Sequence, residues 1–348
     1  MEWKEEWVAK RGKGVDNEFC GVSVGHSKVS VATFSALSEE TLTLTGFHWR
    51  VLPPDLVAEG KIAHSQDLKG ILFEFWEKHK FPRDNLSISI GGGHTITRQF
   101  TMPSGADEEI LPFEVAPFLP LTQDEMMVDV LPLRDTEDGQ KMLLLAARRR
   151  EVEEWVKLFE EMGFGVGTVI TKGAALANLQ RHQGVDDDAL LLMDIGRVST
   201  TLVWMFEGDL YYSREIPFGG TELITMVAEE MGISKELADE KLQKEPDSIP
   251  EAAIDQWTHR LIDKAGSGIE YCLPMGMPFP ACEEIHLSGG GSLVRGLDEL
   301  LEEELECEVS LFEEWGVPLR EGVDVEAVAL ARSADALGAA LTSTESPV

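Results

Sequence analysis

The sequence is short of cysteine, of basic residues and of long apolar runs, and each shortage excludes a class of protein. Its four cysteines, Cys20, Cys272, Cys282 and Cys307, stand far apart and form no CxxC. That spacing predicts neither a disulfide framework nor a zinc site, and fits reduced, mostly buried thiols of a cytosolic protein. No apolar run approaches the roughly 20 residues that a membrane span needs. The opening MEWKEEWVAKRGKG carries no apolar stretch and predicts no secretory signal. The eight histidines, among them His26, His94 and His286, show no metal-like spacing. Only 30 basic residues stand against 63 acidic ones, a net charge of −33. A surface of that sign repels nucleic acid and anionic lipid headgroups.

What is present is a chain of 348 residues, 43% hydrophobic, enough to fill about two packed domains. The densest acidic stretch is DELLEEELECEVSLFEEW, 298–315. Leu297, Leu300, Leu301 and Leu305 recur there at helical spacing, which predicts an amphipathic helix with a solvated acidic face. An acidic docking surface for a basic partner is the other reading. Trp3 and Trp7 lie four apart, on one face of a short helical segment that RGKG ends. That segment is read either as a loosely ordered terminus or as a docking element.

From Glu18 the pattern is β: FCGVSVG, KVSVATFSA, TLTLTGFHWRVL. Apolar positions 68, 71, 72, 75 and 76 predict a helix over 66–80, and LSISIGGG, 86–93, reads as a strand. Texture changes at about 94–168, where Pro112, Pro117 and Pro120 interrupt any long helix. With a buried strand KMLLLAARR and an amphipathic helix REVEEWVKLFEEMGF, that stretch reads as a small inserted α/β subdomain. TKGAALANLQRHQG, 171–184, reads as a helix returning to the first domain. The β pattern restarts at 189 with ALLLMDIG, STTLVWMFEG and DLYYSREIPF. Helices follow, Ser234 being placed as an N-cap, and then EEIHLSGGGSLVRGLDELLEEEL gives strand, glycine turn and helix. One architecture therefore occurs twice.

The repeat is visible in detail. VSVGHSKVSV, 22–31, aligns without a gap on MDIGRVSTTL, 193–202. In the second copy a strand delivers Asp194, Gly196 permits a tight turn, and Ser199, Thr200 and Thr201 supply hydroxyls. Such a turn suits phosphate oxygens, and the carboxylate suits a Mg²⁺-bound water or a base. A hairpin with a capping Asp explains the same residues. In the first copy Ser23 stands where Asp194 does, followed by Gly25, His26, Ser27 and Lys28. His26 is either a ligand contact or a plain turn residue. Gly289, Gly290, Gly291 and Ser292 follow an apolar strand, and Gly219-Gly220 open a helix. Both arrangements favour an anion or a flat ligand, or are simple connections.

Two such turns in order with the glycine loops resemble the actin/Hsp70/sugar-kinase superfamily. REIPFGGTELITMVAEEMGISKELADEKL resembles more closely the PilM family of actin-like type IV pilus assembly proteins. So do LPPDLVAEGKI, FEVAPFLPL, LLLAARRREVEEWVKLFEEMG and LSGGGSLVRGL, in family order over about 18–315. FtsA is the next relative. The resemblance implies an α/β, actin-like (ribonuclease H-like) two-lobed fold with an inserted FtsA-type 1C subdomain. It divides the chain into an extension (1–15), 1A (16–85), 1C (86–168), a return helix of 1A (169–188), 2A (189–231), 2B (232–280), and the remainder of 2A with a C-terminal tail (281–348). It implies ATP and Mg²⁺ between the lobes, with Glu240 among the nucleotide-binding residues and Asp194 as metal ligand through water and sole catalytic candidate. It also implies a 1A/1C groove for the cytoplasmic tail of a PilN-like membrane protein. Phe113, Phe118, Leu119 and Leu121 are candidates to line that groove, or form the insert's own core.

The departures from the family pattern remove carboxylates and add cations. Ser23 replaces an aspartate, the terminal lysine of the first turn falls at Ser30 with Lys28 nearby, and Arg197 and Lys172 stand where small and acidic residues are usual. Cations assist phosphate binding, while a lost carboxylate weakens Mg²⁺ organisation. Alternatively Arg197 fills the pocket itself. The expectation is a cytoplasmic scaffold, peripheral to the inner membrane through its partner, with poor hydrolysis and nucleotide binding open. Rival readings are an active ATPase or small-molecule kinase, a GspL-like secretion component, and an FtsA-like filament former.

Overall fold

Alternation of apolar residues sets the strands, and glycine turns join them in the same way in both halves. The computed structural model describes residues 18–38, 41–58, 60–93, 95–103, 110–183, 189–269, 282–312, 319–320 and 330–342. Trp3, Trp7, His94, Cys272 and residues 313–315 of the acidic stretch lie outside the described residues. The strands in chain order are β1 (Glu18–Val24), β2 (Lys28–Ser38), β3 (Thr41–Val51), the short pair β4 (Val57–Ala58) and β5 (Lys61–Ile62), and β6 (Leu86–Ile90). Then come β7 (Ile96–Pro103), β8 (Met126–Thr136), β9 (Gly139–Arg148) and β10 (Val166–Thr171). The second half holds β11 (Ala189–Ile195), β12 (Thr200–Phe206), β13 (Asp209–Ile216), β14 (Glu284–Ser288) and β15 (Glu308–Leu311).

The first lobe's sheet has the order β10-β6-β1-β2-β3, and the second contains β15-β14-β11-β12-β13. Each is an antiparallel three-strand meander extended by two parallel strands. The sequence repeat holds in register: Ser23 faces Ser30 across β1–β2, and Asp194 faces Thr201 across β11–β12. This is the two-lobed, actin-like fold that the resemblance implied.

Strand β11 reads as a continuous apolar run because its sheet is covered on both faces. Leu191, Met193 and Ile195 join a core under helices Gly220–Met231, Glu251–Ile269 and Leu297–Leu305. Leu190 and Leu192 join the core between the lobes. That central core also holds Ala32 and Phe34 of β2 and the small residues of helices Lys172–Gln183 and Ala334–Leu341. These two helices approach so closely that a Cβ on Gly338 would stand 1.7 Å from the Ala175 carbonyl oxygen. Alanine and glycine at the crossing are what permit it.

Three elements differ from the sequence reading. The acidic stretch is helical only over Leu297–Leu305; Glu306 takes a left-handed φ of 53° and the chain enters β15, where it gains a parallel ladder with β14. Residues 334–341, grouped above with the second lobe and its tail, form a buried helix packed on β1, β2 and β6 of the first lobe as well. The insert is not closed on itself. Its strands extend the second sheet in the order β13-β7-β9-β8, while its helix Arg149–Glu161 sends Val152, Trp155, Leu158 and Phe159 into the first lobe's core. Among the described residues, no helix is long and apolar enough to cross a membrane.

Candidate functional site

The two repeated turns join the first two strands of the two lobes' sheets. Each is closed by the same bond: Gly25 N–H to Lys28 O, and Gly196 N–H to Ser199 O, both 2.8 Å. The His26 ring donates through Nδ1 to Val57 O at 2.7 Å, and Ser27 O accepts from Leu52 N–H, so the first turn holds down the 52–58 segment.

Beyond the turns, one ion pair and one hydroxyl–carboxylate bond link the two halves. Helix Lys172–Gln183 starts where β10 ends, and its first residue bonds Asp194 Oδ1 with its ammonium. Asp194 Oδ2 accepts from Ser288 at 2.9 Å. Helix Ala334–Leu341 presents Asp335, whose Oδ2 accepts from Ser23 at 2.5 Å and from Ser89 at 3.4 Å. The arrangement is pseudo-symmetric: each lobe's first strand ends on a side chain bonded by the opening turn of a helix from the other half. Asp335 thus brings a carboxylate to the position where Ser23 lacks one. Burial alone would lower the Lys172 ammonium, but Asp194, Asp335 and Glu215 outweigh it and hold it above the ordinary lysine value. Lys28 is different. Burial pushes it down to about 8, despite Asp194 and Asp335, and its buried Nζ has no hydrogen-bond partner among the described residues.

The other expected residues are placed as follows. Arg197 does not fill the cleft. It grips Asp239 through both terminal nitrogens, at 2.7 and 2.9 Å, and so ties the second turn to helix Lys235–Lys244. Burial would raise the Asp239 carboxyl; the Arg197 bonds hold it below its ordinary range. Ser199 donates to Glu215 Oε1 at 2.6 Å, and Glu215 Oε2 accepts from Gly92 N–H. Thr200 donates to Phe218 O, and Gly220 N–H to Gly196 O. Glu240 is exposed and bonds Lys244 on the same helix at 2.7 Å. Gly289 has φ 82°, and a Cβ there would stand 2.4 Å from Ile195 O; Gly219 and Gly291 likewise lie against the Ile195–Arg197 turn. Gly290 faces open space, and Ser292 donates to Gly289 O. Gly219, Gly289 and Gly291 therefore serve close backbone packing on the turn that follows Asp194.

These residues do not suit a divalent cation. Mg²⁺ is held through carboxylate oxygens. Asp194 already has both oxygens engaged, Ser23 is donating, and the described residues hold no group of three His, Cys, Asp or Glu that could bind a metal. Asp335, Glu215 and Arg332 were not foreseen from the sequence: no motif surrounds Asp335 and Arg332, and Glu215 stands within REIPFGG, where the glycines alone drew notice.

A second feature lies between the insert and the first lobe. Among the described residues, β10 is one edge of the first sheet and β8 one edge of the second. Between them opens a groove of about 430 Å³, lined by Leu111, Val115, Met127, Val128, Val169 and Ile170 among others. The four aromatic and leucine candidates do not line it. Phe118, Leu119 and Leu121 pack on the insert's own core, and Phe113 is 78% exposed. The cause is helical phase: Leu111 and Val115, four apart in helix Leu111–Val115, turn inward and Phe113 turns out.

A family model described as type IV pilus assembly protein PilM matches residues 21–343. The chain is similar to a structure of a PilM-PilN type IV pilus biogenesis complex, with TM-score 0.80 and 22% identity over 94% of this chain and 98% of that one. It is also similar to the ethanolamine utilization protein EutJ from Carboxydothermus hydrogenoformans (TM-score 0.58, 15% identity, 93% and 89% covered). MreB5 of Spiroplasma citri bound to AMPPNP gives 0.52 and 14%, with 92% and 94% covered.

Proposed function

The chain belongs to the PilM family of type IV pilus assembly proteins, and from that premise we propose that it is an actin-like scaffold that docks the tail of a PilN-like membrane protein. The groove between β8 and β10 carries this reading. It is apolar, and two strand edges unpaired among the described residues border it. An extended segment laid there gains main-chain hydrogen bonds from an edge and places alternate apolar side chains on Val128, Val169 and Leu111. The similar PilM structure was solved as a complex with PilN. Through such a partner the chain would sit at the inner membrane's cytoplasmic face.

The cleft between the lobes is read as a nucleotide site with slow hydrolysis. A related fold holds AMPPNP. In this chain Asp194 is engaged by Lys172 and Ser288 and is not free to orient an attacking water. That observation disfavours the ATPase and kinase readings. The experiment for the scaffold role is a calorimetric titration with a synthetic peptide of the PilN-like tail. Saturable binding at one site per chain is expected; no binding, or binding unaffected by changes in the groove, would overturn it.

A further inference from the structure

The lysine and arginine that border the cleft are more telling than its carboxylates. Lys28 is the first residue of β2, its stem partly exposed and its Nζ buried with no acceptor among the described residues. Arg332 Nε is also buried without an acceptor among the described residues. The two belong to one neighbourhood. Lys28 and Ser30 share a face of β2, being two apart, and Ser30 Oγ lies 2.6 Å from Ser333 Oγ, next to Arg332. Trp49 faces Ser30 across the β2–β3 ladder, and the Arg332 guanidinium stands over its ring at 5.7 Å. Arg332 also opposes the charge on Lys28.

The nearby anions are already occupied. Asp194 is bonded to Lys172 and Ser288. Asp335 accepts from Ser23, from Ser89 and from its neighbour's amide, Ala336 N–H, at 3.0 Å. A buried ammonium and a buried guanidinium nitrogen in one neighbourhood, neither with an acceptor among the described residues, are costly unless something completes them. The missing partner is an anion with several oxygens, able to meet an ammonium and a guanidinium together. A phosphoryl group has that form.

We propose that the cleft is a metal-independent seat for a phosphoryl anion, in which Lys28 and Arg332 bind the oxygens and the Lys172–Asp194 pair stands where a divalent cation would. This rests on reading the cleft as a nucleotide site, and it explains why that cleft does not suit Mg²⁺. The chain's own ammonium neutralises Asp194, so that carboxylate is not left for a magnesium ion. Lys28 neutralises the ligand directly.

The test is isothermal titration of the full chain with ATP, ADP and pyrophosphate, each in EDTA and in excess magnesium chloride. Affinity in EDTA is expected to match that in magnesium within about threefold. If pyrophosphate binds as well as ADP, free polyphosphate suffices; if only ATP and ADP bind, the nucleoside is also needed; both results support the seat. Lys28→Met is expected to weaken binding by at least about tenfold and to raise the melting temperature of the ligand-free protein, because an unpaired buried charge is gone. A purely structural lysine would give the opposite melting shift. Affinity that rises more than about tenfold with magnesium would sink metal independence and leave the nucleotide reading standing. Unweakened binding by Lys28→Met would remove Lys28 from the seat. No binding of any of the three anions in either buffer would overturn both readings.

Discussion

Asp194 is a buried carboxylate whose charge is balanced from the other half of the chain, by Lys172. Removing one member of such a pair strands the other in a dry interior, at a typical cost of 3–5 kcal/mol. Lys28 nearby carries a second positive charge, which softens the loss. Lys172→Met is therefore expected to lower unfolding stability by about 3 kcal/mol, read as a shift of the urea midpoint at constant slope. A change below about 1 kcal/mol would show that Lys172 and Asp194 are not paired in solution. The sequence displayed half of this arrangement. The gapless repeat made Ser23 conspicuous, and Lys172 stood out as a cation at an acidic position. Asp335 did not stand out. It lies 312 positions from Ser23 and is bonded to it only through the packing of helix Ala334–Leu341. No local pattern encodes a contact of that range.

Elements were easier to read than their borders and partners. The 3.6-residue period of 66–80 gives helix Ser65–His79, and the alternation in LSISI gives β6, with Leu86, Ile88 and Ile90 in one core. Period does not say which sheet a strand joins. The insert's strands extend the second sheet because β13 has a free edge, and Tyr212 and Ser213 pair with Arg98 and Thr97. Nor does it say which apolar residues of a short helix meet a groove. Phe113 is conspicuous in the sequence yet points to solvent, whereas Leu111 and Val128 border the groove. Val128→Asp places a charge in the path of an apolar peptide, where burying it unpaired is unfavourable. It is expected to weaken tail binding by at least about tenfold while moving the melting temperature little, because Val128 is only partly buried. Phe113→Ala, a change on the exposed side, is expected to leave affinity unchanged. The reverse order of effects in a side-by-side titration would move the docking site away from the β8–β10 edges.

At the scale of the molecule, the question is whether two lobes behave as two domains. Their sequence suggests so, since each carries a full strand-and-helix set. Their packing argues otherwise. The central core draws Ala32 and Phe34 from the first sheet, Leu190, Leu192 and Val203 from the second, and Ala174, Leu337 and Ala340 from the two crossing helices. Each of these helices bonds a strand end of the other half: Lys172 to Asp194, and Asp335 to Ser23. Neither lobe can keep its inner face buried once the other opens, so the lobes are expected to unfold together. Differential scanning calorimetry should then give one transition, with calorimetric and van't Hoff enthalpies in agreement, although a chain of 348 residues often unfolds in parts. Two resolved transitions would mean that the inter-lobe core is weaker than either lobe. The same coupling bears on the scaffold role. A phosphoryl anion seated on Lys28 and Arg332 would stiffen the joint, while the groove lies between the insert and β10, the strand that leads directly into Lys172.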